Sequence, residues 1–145
     1  MSPISSVSDQ LTVSGTDTSL YTGDINYINL GDGGAQFGFA WIIPVDAISV
    51  SGQTIDLSSN QAIIDSGTTF IYGPQSQIEQ YYSTIPGAQA LTGDNEGLYT
   101  VPCDAKNLGV SLTFGGVSYP IQDVDLVKVA SDDGQTCIGT VGYFP

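Results

Sequence analysis

Apolar residues in this chain fall in short runs, most of them alternating with polar neighbours, the period-2 pattern of half-buried strands. Ile25 and Tyr27 alternate in this way and predict a strand near residues 25–27. The stretch FAWIIPVDAISV (39–50) is a long apolar run broken by Pro44 and Asp46, and Ser51-Gly52 predicts a turn into a strand over 53–57. The clearest hairpin signal is VSLTFGGVSYPI. Val110, Leu112 and Phe114 alternate before Gly115-Gly116, and Val117, Tyr119 and Ile121 alternate after it. A Gly-Gly pair suits the positive-φ turns that match strand twist.

One segment changes period. Pro74 fits the first position of a helix, with Ile78, Tyr81 and Tyr82 on one face at i, i+3 and i+4, and Pro86-Gly87 ends it. The acidic stretches LTGDNEG (91–97) and SDDGQ (131–135) read as solvent-facing loops, and the apolar runs AII (62–64) and FIY (70–72) as buried strands. The pattern therefore predicts a mainly β unit with one or two short helices.

Composition narrows the chemistry. At 145 residues the chain is long enough for a core that removes about 68–70% of its unfolded surface from water. Fifteen acidic residues face only Lys106 and Lys128, with no Arg and no His, for a net charge of −13. That charge argues against nucleic acid and anionic membrane as partners. The absence of His excludes histidine triads and histidine metal sites, so no metal or other cofactor is expected. In strong acid the carboxylates neutralise and only about three positive charges remain, so the composition suits acid tolerance and general solubility equally. Cys103 and Cys137 can form a disulfide or stand as two buried thiols. The first ten residues carry no signal-like region, and no run approaches the length of a membrane span.

The chemistry-bearing candidate is AIIDSGTTFIYGP (62–74). It places Asp65 at the end of an apolar run, beside a glycine and the hydroxyls of Ser66, Thr68 and Thr69. Hydroxyls and N–H groups aimed at a carboxylate fix its direction and tune its pKa, as general acid/base work requires. Taken alone, a D-S-G is more often a turn in which the Asp bonds its own backbone.

The whole segment resembles the second active-site sequence of the pepsin-like aspartic proteases, family A1. There two apolar residues precede Asp-[Ser/Thr]-Gly-[Thr/Ser]-[Ser/Thr], and a Gly-Pro opens a short helix. LYTGDINYINL resembles the strand that opens the family's C-terminal lobe, and FAWIIPVDAISVSGQTI its Trp-x-Ile strand and following hairpin. LYTVPCD, VSLTFGGVSYPI and CIGTVGYF follow in the family's order, so the resemblance runs from about Leu20 to Phe144. It implies one lobe of a bilobal β fold whose two aspartates face each other across a cleft. Two such carboxylates cannot both ionise, an effect for which the pepsin dyad is itself the standard example. One carboxylate activates a water and the other polarises the peptide carbonyl. Carried over by position, Asp65 is one catalytic aspartate, and Thr68 hydrogen-bonds its carboxylate. Gly67 and Thr69 line the cleft, and Ile63 walls a pocket beside the scissile bond. The same resemblance pairs Cys103 with Cys137 and implies a secreted or vacuolar location.

No second D-[ST]-G occurs in the 145 residues, and the position before Trp41, often Tyr in the family, is Ala40. The expectation is a lead-in segment over 1–19 and, over 20–145, part of a C-terminal lobe incomplete at both ends. An N-terminal lobe would supply the second aspartate and bind the peptide or protein substrate jointly with this chain. Alone, the chain is expected to have little or no activity and an open apolar face. Pairing of Asp65 with Asp65 in a homodimer is a weaker expectation. The alternative function is a non-catalytic binding or inhibitor protein on the same scaffold, against which the intact Asp65-Ser66-Gly67-Thr68 counts. A generic acidic β-domain would explain neither the order of the motifs nor the cysteine placement.

Overall fold

A computed structural model describes residues 12–30, 40–55, 57, 59–130 and 136–145. The chain is mainly β, with two short helices among the described residues. Strands β1 (Trp41–Pro44) and β4 (Gln61–Ile64) form an antiparallel pair, with Trp41 opposite Ile64. Strands β2 (Ala47–Val50), β3 (Gln53–Ile55), β8 (Ser111–Phe114) and β9 (Val117–Pro120) form a sheet in the order β3-β2-β8-β9. Strands β6 (Gln89–Ala90), β7 (Tyr99–Val101), β10 (Val127–Val129) and β11 (Cys137–Gly139) form another, ordered β10-β11-β7-β6. The last pair is parallel: β5 (Ile71–Tyr72) lies beside β12 (Val141–Gly142).

Local sequence explains these elements. Gly115 and Gly116 both take positive φ, as a two-residue turn matched to strand twist requires, and the Gly116 N–H donates to the Asp46 carboxylate at 2.8 Å. The charge that breaks the apolar run at Asp46 thus anchors a hairpin tip. Helix α1 (Gln75–Ser83) buries Ile78, Tyr81 and Tyr82, the face predicted from its spacing. Pro74 is its N-cap residue in extended backbone, one position before the predicted place, and Thr84 is its C-cap. Helix α2 is a single turn, Asp123–Leu126. No helix among the described residues is long and apolar enough to cross a membrane.

Two expectations fail. Residues 21–30 form no strand, and Tyr27 is 83% exposed. This segment is tied to the hairpin by a side chain instead: the Asn26 amide donates to the Phe114 carbonyl at 2.9 Å and to the Tyr119 hydroxyl at 3.1 Å. Alternating residues make a strand only when a neighbouring backbone completes the ladder. Nor are the runs flanking Asp65 buried: Ile63 and Ile64 are 64% and 50% exposed, because β4 pairs only with β1. The 91–97 stretch is solvent-facing up to Glu96 and contains a single 3₁₀ turn at Gly93–Asn95. The 131–135 stretch lies outside the described residues.

The core joins α1 to the β6-β7-β11-β10 sheet. Tyr82 stacks on Tyr99 at 3.9 Å between ring centroids and meets Tyr81 edge-on at 4.6 Å. Leu126, Cys137, Ile78 and Val101 belong to the same cluster, which extends through Val50, Ile55 and Val110 to the other four-stranded sheet. The Tyr82 hydroxyl donates to the Val141 carbonyl, and a Cβ on Gly139 would collide with that hydroxyl. Tyr81 is equally buried, but its hydroxyl has no hydrogen-bond partner among the described residues. Burial, assisted by the Asp123 charge, pushes its pKa up to about 12. Two adjacent tyrosines should therefore respond oppositely to loss of the hydroxyl. Tyr82→Phe orphans a carbonyl and is expected to cost about 1–2 kcal/mol, whereas Tyr81→Phe removes an unpaired polar group and should be neutral or stabilising by up to about 1 kcal/mol. Urea unfolding of the two variants measures both, and equal losses would contradict the assignment.

Candidate active site

Strand β4 ends at Ile64, and the chain turns through Asp65-Ser66-Gly67-Thr68 before β5. The turn is closed by the Thr68 N–H donating to the Asp65 carbonyl at 3.4 Å. Both carboxylate oxygens are held. The Gly67 N–H donates to Oδ1 at 2.8 Å, and the Thr68 hydroxyl donates to Oδ2 at 2.5 Å. Space favours the glycine: a Cβ at 67 would lie 3.2 Å from Oδ1 and crowd the oxygen that its N–H serves.

These contacts set the electrostatics. The Thr68 hydroxyl, and after it the Gly67 N–H, hold the Asp65 pKa below the ordinary carboxylate value, since hydrogen bonds to the charged form favour it. Asp65 itself is exposed. A depressed folded-state pKa adds stability above the unfolded value, and that stability is lost as pH falls through the folded pKa. Thr68→Val is therefore expected to raise the titration midpoint of Asp65, while Thr68→Ser keeps it low. Carbon-detected NMR of the carboxyl group reads the midpoint, and an unchanged value in Thr68→Val would refute the hydroxyl's role.

The predicted site residues are thus placed unequally. Gly67 and Thr68 contact the carboxylate directly. Thr69 lines an open depression of about 300 Å³ with Thr68, Phe70, Tyr72 and Lys128. Ile63 lies on β4 with its side chain exposed. Lys128 was not singled out from the sequence as a site residue, because about 60 residues separate it from Asp65. A second depression, of about 260 Å³ among Ser51, Ile85, Pro102 and Leu108, shares no residue with the Asp65 loop.

The loop's exit is secured by the parallel pair. The Ile71 N–H donates to the Thr140 carbonyl at 2.9 Å, and the Gly73 N–H to the Gly142 carbonyl at 3.0 Å. Tyr72 stacks on Phe144 at 4.2 Å. The strands entering and leaving the loop carry the exposed apolar side chains Ile63, Ile64, Ile71 and Tyr72, and Trp41 on β1 and Phe144 after β12 are exposed too. Cys103 and Cys137 form a disulfide, with Cα atoms 5.1 Å apart.

The chain is 36% identical over 143 residues to major aspartyl peptidase 1 of Cryptococcus neoformans, an alignment covering 93% of this chain and 28% of that protein. It is 35% identical over 145 residues to an aspartic protease of Phaffia rhodozyma, covering 96% and 34%. Pepsin II-2/3 of Oryctolagus cuniculus is 31% identical over 122 residues, covering 82% and 29%. The chain thus spans about a third of the length of the curated relatives it matches. The family model described as eukaryotic aspartyl protease matches residues 3–144, so the chain belongs to the eukaryotic aspartyl protease family.

Proposed function

We propose that this chain is the Asp65-bearing part of an aspartic endopeptidase that cuts extended polypeptides in acid. The observation carrying this reading is the Asp65 carboxylate, open to solvent at a strand end with a separate donor on each oxygen. A carboxylate fixed in this way can direct one oxygen at a water while its protonation state is tuned from behind. A second carboxylate, facing Asp65 from another lobe, would share a proton with it. The pair would then titrate as a unit, with one member the base and the other the acid. Thr68 would keep Asp65 aimed, Gly67 would admit the substrate backbone, and Ile63 and Thr69 would contact the peptide. The exposed apolar strands flanking the loop supply surface for that second lobe. The disulfide supports a secreted or vacuolar location, since such bonds persist in oxidising compartments.

The sequence carries a single D-[ST]-G, and the isolated chain is proposed to have little or no peptidase activity. The test compares two proteins on a denatured protein substrate at about pH 3–5, where a carboxylate pair holds one proton. One is the 145-residue chain, and the other is a longer in-frame product carrying an upstream D-[ST]-G lobe. Cleavage sensitive to a transition-state-mimicking inhibitor is expected from the second alone. Inhibitor-sensitive cleavage by the 145-residue chain, lost in Asp65→Asn, would overturn the requirement for a second lobe. An inert longer product would overturn the enzyme reading in favour of a binding or inhibitor role.

A further inference from the structure

The depression beside the Asp65 loop holds one of the two cations in a chain with fifteen acidic residues. We propose that it is a subsite selecting an acidic side chain, Glu or Asp, of an extended peptide, with Lys128 determining the preference. This rests on the reading of the Asp65 loop as a peptide-cutting site.

Position is the first argument. Thr68 is shared: its hydroxyl donates to Asp65, and the same residue lines the depression. An extended peptide advances about 3.3 Å per residue. A side chain entering here therefore belongs to a residue close in sequence to the bond held at Asp65.

The lining gives the second argument. Phe70 and Tyr72 supply aromatic surface for an aliphatic stem, Thr68 and Thr69 supply hydroxyls, and Lys128 supplies the charge. Lys128 is exposed on β10, an edge strand of its sheet, with its ammonium 6.0 Å from the centroid of the Phe70 ring. A carboxylate at the end of a short aliphatic stem fits an aromatic floor beside an ammonium.

The third argument is contrast. With a net charge of −13, the chain disfavours an acidic peptide over most of its surface. Lys128 is the charged residue lining the depression, so an acidic residue in the matching register is favoured there while others are penalised. Selectivity arises as much from the repulsion elsewhere as from the attraction at Lys128.

The test titrates the 145-residue chain with apolar octapeptides in which one Glu or its Gln counterpart moves through the sequence. Backbone NMR shifts of Thr68, Phe70, Tyr72 and Lys128 report binding at about pH 6, above the usual Glu pKa near 4.3. In one register the Glu peptide is expected to bind about two- to fivefold tighter than its Gln counterpart, the range of an exposed ion pair. Lys128→Met should bring that ratio to about one, and Lys128→Glu should invert it. Equal binding of the Glu and Gln peptides, or a preference surviving in Lys128→Met, overturns the proposal and leaves the cleavage reading standing. Shifts at no residue of the depression with any peptide also overturn it, and the two-protein cleavage assay then judges the protease reading separately.

Discussion

In a longer product that carries both lobes, Asp65→Asn is expected to lower kcat/KM for a peptide substrate by on the order of 10²–10⁴-fold without unfolding the protein. The side chain is nearly isosteric, and the Asn carbonyl oxygen still accepts from the Gly67 N–H. The Thr68 hydroxyl can rotate to accept from the amide it would then face. Asp65 is exposed, so the substitution should leave the fold largely unchanged. What disappears is the proton that one carboxylate must take from water and return to the leaving amine. The measurement pairs initial rates at acid pH with urea unfolding of the same preparation. A variant within tenfold of the parent would remove Asp65 from the chemistry. A variant that loses activity and stability together would make the loop structural.

The second large effect is on stability. Replacing both cysteines, Cys103→Ala with Cys137→Ala, is expected to cost about 4 kcal/mol by the chain-entropy relation for residues 34 positions apart. Small domains have about 5–15 kcal/mol in all, so this loss is a large share of the total. The bridge fastens the end of β7 to β11, and the chain it closes includes the β8–β9 hairpin, α2 and β10. Cys137 is 1% exposed and part of the main cluster, so its truncation also removes packing. Urea unfolding should show a lower midpoint and a steeper denaturant dependence, because the unlinked unfolded chain exposes more surface. A cost below about 1 kcal/mol would mean that the unfolded chain stays compact without the bridge.

Much of this was legible in the sequence where the cause is local. A Gly-Gly between alternating runs fixes a hairpin, and Pro74 with the Ile78, Tyr81 and Tyr82 spacing fixes a helix to within a residue. Gly67 and Thr68 hydrogen-bond the Asp65 carboxylate because the three are neighbours in the chain. Non-local causes were not legible. Whether Ile25 and Tyr27 belong to a strand depends on a partner backbone, and the structure offers Asn26 a side-chain tether instead. Ile63 and Ile64 have the composition of a core strand, but burial requires an opposing layer. Lys128 reaches the Asp65 loop only through the arrangement of β10 and β5, which no short-range pattern encodes. The difference between Tyr81 and Tyr82 likewise depends on where the Val141 carbonyl falls.

The parallel pair of β5 and β12 also dictates an order of events. Its register joins Ile71 to Val141 and Tyr72 to Gly142, so the strand leaving the Asp65 turn acquires its ladder only after the intervening chain has been synthesised and brought back. Closing a loop of about 70 residues is slow next to forming a two-residue hairpin. On the ribosome, the β8–β9 hairpin can therefore close first, while the Asp65 turn waits for β12. A nascent chain stalled before Thr140 would hold every residue of the Asp65 turn and still lack the ladder that secures its exit.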